Sequence, residues 1–102
     1  MARINVPPPS GNINLTVGDE LTIHAAQACN FCCTIGSNFS PDLTDVALSQ
    51  GDNGPYTAET AGSGQYNTSD SGSACNPNAP NPRAIAKSVQ INPPTPRPKP
   101  KQ

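Results

Sequence analysis

Four cysteines constrain this chain more than any other feature of its sequence. Cys29, Cys32 and Cys33 fall within five residues, and Cys75 lies more than forty positions later in a stretch of Ser, Asn and Pro. Four thiols allow three complete pairings, and the sequence leaves two of them open. We set aside the pairing that joins the neighbours Cys32 and Cys33, because it forces a strained ring. In the other two, Cys29 bonds to one of these neighbours and Cys75 bonds to the other.

The cysteine pattern therefore predicts two disulfides. A bond to Cys75 closes a loop of roughly 40 residues, which the chain-entropy model values at about 4 kcal/mol, comparable with the whole stability of a small domain. A metal site and free thiols are the competing interpretations. Structural zinc usually takes two Cys-x-x-Cys knuckles, whereas Cys75 has no Cys or His near it in the sequence. The spacing thus favours disulfides over a metal.

The composition explains why crosslinks matter in this chain. Apolar residues make up 33% of the 102 positions, charged residues make up 13%, and the formal net charge is −1. So polar a chain buries too little apolar surface to fold securely without staples. Abundant Gly, Pro, Asn, Ser and Thr are typical of a turn-rich, all-β protein, and disulfides favour an extracellular or cell-surface location. No apolar run reaches the length of a membrane span, and the first residues lack the apolar stretch of a signal peptide.

Short stretches of alternating polar and apolar residues recur about every 8 to 12 positions. Asn12–Val17 and Glu20–Ala25 are the clearest, and a Gly-Asp turn joins them. A last strand is predicted over Ala84–Ile91, with Ile85, Val89 and Ile91 on one face. The turn-forming segments 51–55 and 61–64 are predicted to be a loop and a turn. This spacing predicts an all-β fold, a small antiparallel β-sandwich stapled by disulfides.

Three regions follow from this pattern. Residues 1–11 form an extended N-terminal segment or edge strand that is stopped by three prolines, and residues 12–92 form the sandwich domain. Residues 93–102 form a Pro-rich basic tail of polyproline character.

The segment Ser40–Gln50 has features of both a helix and a strand. Its beginning, Ser40-Pro41-Asp42, is a good helix start, with a capping hydroxyl, a proline and an early carboxylate. Thr44, Val46 and Leu48 alternate with Asp, Ala and Ser, however, which favours a strand. We predict a strand that follows a proline bend.

The hairpin Leu15–Ile23 resembles the valine-glycine-aspartate turn and following strand that cupredoxin-like and bacterial immunoglobulin-like domains share. The later order is also similar to the cupredoxin arrangement, because Gly64-Gln65-Tyr66 leads to Cys75 and then, after a loop, to the closing strand Ser88–Ile91. The resemblance implies the sandwich fold.

The same resemblance does not extend to the copper ligands. Where a blue-copper protein carries a histidine and a methionine after its cysteine, this chain has Asn76–Pro82. A type 1 copper site needs two imidazoles and a thiolate, and a chain with one histidine cannot supply them. We therefore expect a cupredoxin-like shape with no metal and no other cofactor.

His24, the chain's one histidine, is predicted to lie on the solvent side of its strand, opposite Leu21 and Ile23. It cannot build a multi-histidine metal site, and no set of acid, base and nucleophile can be assembled around it. We therefore do not expect an enzyme. Six dilute basic residues and 4% aromatic residues argue against nucleic-acid binding.

Three N-x-[ST] sequons are candidate glycosylation sites, beginning at Asn14, Asn38 and Asn67. A chain so rich in Asn, Ser and Thr yields about two such sequons by chance, so they suggest glycans without requiring them.

The charges are divided between the middle and the ends of the chain. All seven acidic residues lie from Asp19 to Asp70, whereas the six basic residues are Arg3 and five that lie from Arg83 to Lys101. An acidic body with basic ends could attract its own copies head to tail, although chance and an ordinary basic tail would give the same pattern.

We therefore predict a non-enzymatic extracellular structural protein that assembles with copies of itself, through its termini, into a surface or filamentous assembly. The residues assigned to this assembly are Ile4 and Val6 in the N-terminal strand and Arg97, Lys99 and Lys101 in the tail. The alternative, from a different class, is a monomeric cupredoxin-like or immunoglobulin-like binding module that has lost its metal site.

Overall fold

The structure is a computed structural model that describes residues 2–7, 9, 11–78 and 85–94. This part of the chain forms nine strands and one turn of 3-10 helix at Gly36–Asn38. The strands are β1 Ala2–Val6, β2 Ile13–Thr16, β3 Glu20–Ala25, β4 Cys29–Cys33, β5 Phe39–Ser40, β6 Asp45–Leu48, β7 Gly51–Ala58, β8 Gly62–Asp70 and β9 Lys87–Asn92.

The strands form two sheets that pack into a sandwich. Sheet A has the order β1-β3-β7-β5, and sheet B has the order β2-β9-β8-β4-β6. The pairs β1/β3 and β2/β9 are parallel, and the other pairs are antiparallel. Strand β1 is at one end of the order in sheet A, so it is an edge strand, and the next strand, β2, belongs to sheet B. The predicted all-β sandwich is confirmed, but it is not wholly antiparallel, because each of the two sheets contains one parallel pair among the described strands.

The core lies between the sheets and is filled by the apolar residues of the alternating strands. Leu21 and Ile23 of β3 are fully buried, and so is Ile91 of β9. Phe31 of β4 stacks on Tyr66 of β8, with ring centroids 5.3 Å apart and an angle of 21° between the planes. An offset aromatic pair of this kind stabilises the fold by about 1 kcal/mol beyond the area that it buries.

The predicted Gly-Asp turn between β2 and β3 is present. Gly18 has a φ of 99°, a left-handed conformation that glycine adopts without steric cost. The Asp19 carboxylate accepts a hydrogen bond from the amide of Thr16 at 2.9 Å, and the Asp19 amide donates to the Thr16 carbonyl at 2.9 Å. These reciprocal bonds close the turn, which leads from sheet B to sheet A, so β2 and β3 do not pair as the predicted hairpin.

The ambiguous segment after Phe39 is extended rather than helical. It contributes the short strand β5 to sheet A and the edge strand β6 to sheet B. The Asp42 carboxylate, which would have lain in the first turn of a helix, accepts hydrogen bonds from the Thr44 amide at 2.7 Å and from the Thr44 hydroxyl at 2.6 Å. A local turn therefore satisfies the groups that would have started a helix.

None of the described helical segments is long and apolar enough to cross a membrane.

Candidate functional site

Strand β4 directs its cysteines to opposite faces of sheet B. Because side chains alternate along a strand, Cys29, Phe31 and Cys33 point into the core and Cys32 points outward. On the outer face, Cys32 forms a disulfide with Cys75, with the two Cα atoms 6.0 Å apart. This bond holds the irregular segment 71–78 against the outside of the sheet.

Polar side chains of sheet B also hold this segment. The Asn30 side-chain amide donates to the Ser73 carbonyl at 2.5 Å, and the Asn67 amide donates to the Asn76 carbonyl at 3.2 Å. Because the segment covers it, Asn67 is fully buried although it lies on the outer face. The segment is thus fixed to the sheet by a disulfide and by polar hydrogen bonds.

The prediction of a second disulfide is wrong. Cys29 and Cys33 are free thiols, both buried. Four residues along a strand separate their Cα atoms by about 13 Å, with Phe31 between them, and a disulfide needs Cα atoms within about 7 Å. The other pairing, Cys29 with Cys32, fails because their side chains leave opposite faces of the sheet.

Burial makes these two thiols chemically quiet. Desolvation raises the pKa of the Cys29 thiol, and the same cause raises the pKa of Cys33 to about 11. Since the thiolate is the nucleophile and the metal ligand, neither cysteine is suited to either role at neutral pH.

Charged residues from three strands meet on the outer face of sheet A. His24 of β3 lies opposite Asp52 of β7, and its Nδ1 is 2.8 Å from the Asp52 Oδ1. Arg3 of β1 reaches the same carboxylate, with its Nη2 3.0 Å from Oδ1, and lies 3.2 Å from the His24 Nδ1. The pKa of Asp52 is lowered, mainly by the hydrogen bond from His24 and further by the charge of Arg3. His24 faces outward, as the alternation predicts.

This cluster, Arg3–His24–Asp52, was not predicted as a unit. The alternation places Arg3 and His24 on the outer faces of their strands. The segment that contains Asp52, however, was predicted to be a loop, and nothing local indicates that β1 pairs in parallel with β3. The cluster joins the basic N-terminus to the acidic body within one chain.

The residues assigned to assembly have different positions. Ile4 and Val6 lie in the core, with 8% and 2% of their surfaces exposed, so their side chains are not available to another copy. What β1 can offer at the edge of sheet A is its backbone. Arg97, Lys99 and Lys101 lie outside the described residues. The last described residues, Pro93 and Pro94, are exposed directly after β9.

The three sequons differ in accessibility. Asn67 is fully buried, and its amide is hydrogen-bonded to Asn76, so a glycan at this position is incompatible with the fold. The Asn38 amide nitrogen donates to the carbonyls of Thr60 and Ala61 at 3.2 and 3.3 Å. Asn14, on the edge strand β2, is exposed. The structure therefore leaves Asn14 as the accessible candidate.

No family model and no curated protein sequence matches this chain. Among solved structures, it is similar to a Cu(I) form of one amicyanin mutant and to an oxidised form of another. The TM-score is 0.53 for both, the sequence identities are 15% and 13%, and each alignment covers 88% of this chain and 80% of the amicyanin chain. At such identity the likeness concerns the fold alone. The chain has a cupredoxin-like fold.

The residues of this chain do not fit the copper site that the fold class brings to mind. A type 1 site needs two imidazoles and a thiolate, but the chain has one histidine, and His24 is bound to Asp52 on sheet A. The sulfur of Cys75 is bonded to that of Cys32. Across residues 2–7, 9, 11–78 and 85–94, no group of three or more His, Cys, Asp or Glu side chains is placed to hold a metal ion.

Proposed function

We propose that this protein is a non-enzymatic extracellular structural subunit that assembles with copies of itself through its termini. The observation that carries the proposal is the position of β1. This N-terminal strand lies at an edge of sheet A, and its Arg3 is paired with the acidic body at Asp52. An edge strand presents a row of backbone donors and acceptors, which is a template for pairing with another chain.

The distribution of charge supports the proposal. The Arg3–Asp52 pair is an intrachain example of a basic terminus bound to the acidic body. The tail carries three further cations, Arg97, Lys99 and Lys101, and three acidic residues of the body, Asp45, Glu59 and Asp70, are exposed. Oppositely charged surfaces accelerate encounter between copies and set their orientation.

The tail can be tested by mutation. Deletion of residues 93–102 should raise the concentration at which half of the protein is assembled, as measured by light scattering and electron microscopy. A matched pair separates charge from general solubility: Lys99→Ser removes a tail cation, and Lys87→Ser removes an exposed cation of β9. The tail variant should weaken assembly more than the β9 variant. Assembly that is unchanged by the deletion would remove the tail from the mechanism.

The second candidate is a monomeric binding module of cupredoxin-like shape. The likeness to the two amicyanin structures favours it, because the fold is shared while the copper-ligand set is not. Such a module would remain monomeric at high concentration, which size-exclusion chromatography would reveal.

A further inference from the structure

We propose that the N-terminal strand exchanges between copies, so that β1 of one copy pairs with β3 of another in place of that copy's own β1. The partner is therefore a second copy of this chain. The inference rests on the self-assembly proposed above and specifies the contact that joins the copies.

The pairing of β1 allows it to leave while the other described strands stay paired. Among these strands it pairs with β3 alone, through five residue pairs from Ala2–Leu21 to Val6–Ala25. Its departure breaks that one ladder and leaves the other strand pairs intact. An element with these properties is the kind that copies of a protein can exchange.

The place that β1 occupies is specific for its sequence. Ile4 and Val6 are buried and lie beside Ile23 and Ala25, both of which are fully buried. When β1 leaves, these apolar groups of β3 lose their cover, which favours refilling of the place. A strand with the same alternation supplies the same side chains at the same depth, and β1 of a second copy is such a strand.

The outer face of β1 adds a charge that selects the register. Arg3 lies within 3.0 Å of the Asp52 carboxylate and 3.2 Å of His24 Nδ1. An entering strand with its guanidinium at this position restores the ion pair with Asp52. A strand shifted by one residue would place Arg3 toward the core and Ile4 toward solvent, so both faces of β1 oppose a shifted register.

The sequence after β1 favours an extended connection. Three prolines, Pro7-Pro8-Pro9, follow the strand directly. Proline fixes φ and favours polyproline II, which advances about 3.1 Å per residue. An extended connection that carries β1 to a neighbour therefore loses little conformational entropy. Pairing of β1 with another copy competes with pairing inside its own chain, where the effective concentration is fixed. The exchanged form should therefore increase with protein concentration.

Mixed cysteine variants of the full chain test the exchange. Arg3 and Thr22 face each other across the β1/β3 pair, so an isotopically labelled Arg3→Cys variant is mixed with an unlabelled Thr22→Cys variant, incubated at high concentration and oxidised. A second mixture, Asn5→Cys with His24→Cys, uses the next outward pair and retains Arg3. The control mixes Arg3→Cys with Ser63→Cys, which is exposed on sheet B.

We expect labelled–unlabelled disulfides between positions 3 and 22, and between 5 and 24, at roughly tenfold or more above the control, as read by mass spectrometry. Light scattering of the same mixtures reports assembly separately. Copies that assemble without these interchain bonds, while an Arg3→Cys/Thr22→Cys double variant bonds within one chain, would overturn the exchange and leave the proposed function standing. A mixture that stays monomeric at every concentration would overturn both.

Discussion

Asp52 is the residue whose carboxylate forms an ion pair with the N-terminal strand. Three strands contribute to this contact, which involves Arg3 and His24 at 3.0 and 2.8 Å. All three side chains are substantially exposed, so the contribution to stability is modest and is weakened by salt.

The pH dependence of stability follows from the lowered pKa of Asp52. The folded protein binds this proton less tightly than the unfolded chain, so the stabilisation is complete above the ordinary value of 3.8 and is lost as the pH falls through the folded value. Asp52→Asn should lower the free energy of unfolding at neutral pH, and its difference from the wild type should vanish on acidification. Urea denaturation at a series of pH values measures both.

Asp45→Asn is the matched control for that prediction. It removes one exposed carboxylate from β6, in the other sheet, and changes the net charge equally. Equal effects of the two substitutions at every pH would show that the Arg3–His24–Asp52 cluster contributes nothing specific.

The buried thiols give a second prediction at this scale. Because Cys29 and Cys33 are buried and their thiol pKa values are raised, a maleimide should modify neither in the native protein. In denaturant without reductant it should modify two thiols per chain, and with reductant four. Mass spectrometry counts the adducts. Modification of the native protein would contradict the placement of these residues in the core.

At the scale of the element, the sequence predicts strands where polar and apolar residues alternate. The segment Glu20–Ala25 is a strand with the predicted bounds, and Val89 and Ile91 of the last strand are buried as expected. Ile85 is not, with 70% of its surface exposed, because β9 begins after it at Lys87. The pattern identifies a face, but the pairing with a neighbour decides where a strand starts.

The segments 51–55 and 61–64 show why composition misleads. Both contain two glycines and suggest turns, yet residues 51–55 belong to β7 and residues 62–64 belong to β8. In β7, the Asn53 amide donates to the carbonyl of Ser49 at 2.9 Å and to that of Ile23 at 3.3 Å, next to a register shift in the β3/β7 pair. The contact with Ile23 and the β3/β7 pairing involve residues distant in the sequence, so local propensity cannot predict them.

The candidate site was predicted only in part, because some of its contacts also join residues that are distant in the sequence. The importance of Cys75 follows from its isolation in the sequence, and the outward position of His24 follows from alternation. The alternation along β4 also separates Cys32 from Cys29 and Cys33, which could have excluded the second disulfide. The partner of Arg3 depends on a parallel pairing of strands, which no local signal indicates.

The disulfide is predicted to stabilise the segment 71–78 on sheet B. A Cys32→Ala/Cys75→Ala variant should lose about 2–4 kcal/mol of unfolding free energy, because its unfolded chain is no longer constrained. Urea denaturation with and without reductant provides the control. The wild type in reductant should match the variant, and the variant should not respond. A wild type that is insensitive to reductant would contradict a structural role for this bond.

Gly36, the first residue of the 3-10 turn, packs so closely against the backbone of Leu43 and Thr44 that we expect no larger residue to fit there. A Cβ at Gly36 would lie 2.0 Å from the Thr44 amide nitrogen. Gly36→Ala should therefore lower the free energy of unfolding by about 1–3 kcal/mol, the cost that is typical of overpacking. Gly11→Ala, whose Cβ meets no atom within 4 Å, is the matched control and should be nearly neutral. Thermal denaturation compares them, and equal melting temperatures would contradict the packing described here.

At the scale of the whole molecule, a cupredoxin-like sandwich carries the Cys32–Cys75 disulfide. The N-terminal strand β1 lies at an edge of sheet A, whereas the last strand β9 lies inside sheet B, and the charge is divided between an acidic body and basic ends. Fold alone does not define function, so the proposal of self-assembly rests on the edge strand, the Arg3 contact and the charged tail.

Sedimentation velocity of the full chain over a wide range of concentration tests self-assembly most directly. Self-assembly through oppositely charged surfaces predicts a weight-average sedimentation coefficient that rises with concentration and falls when salt is added. A coefficient that stays at the monomer value at every concentration and at low salt would contradict it.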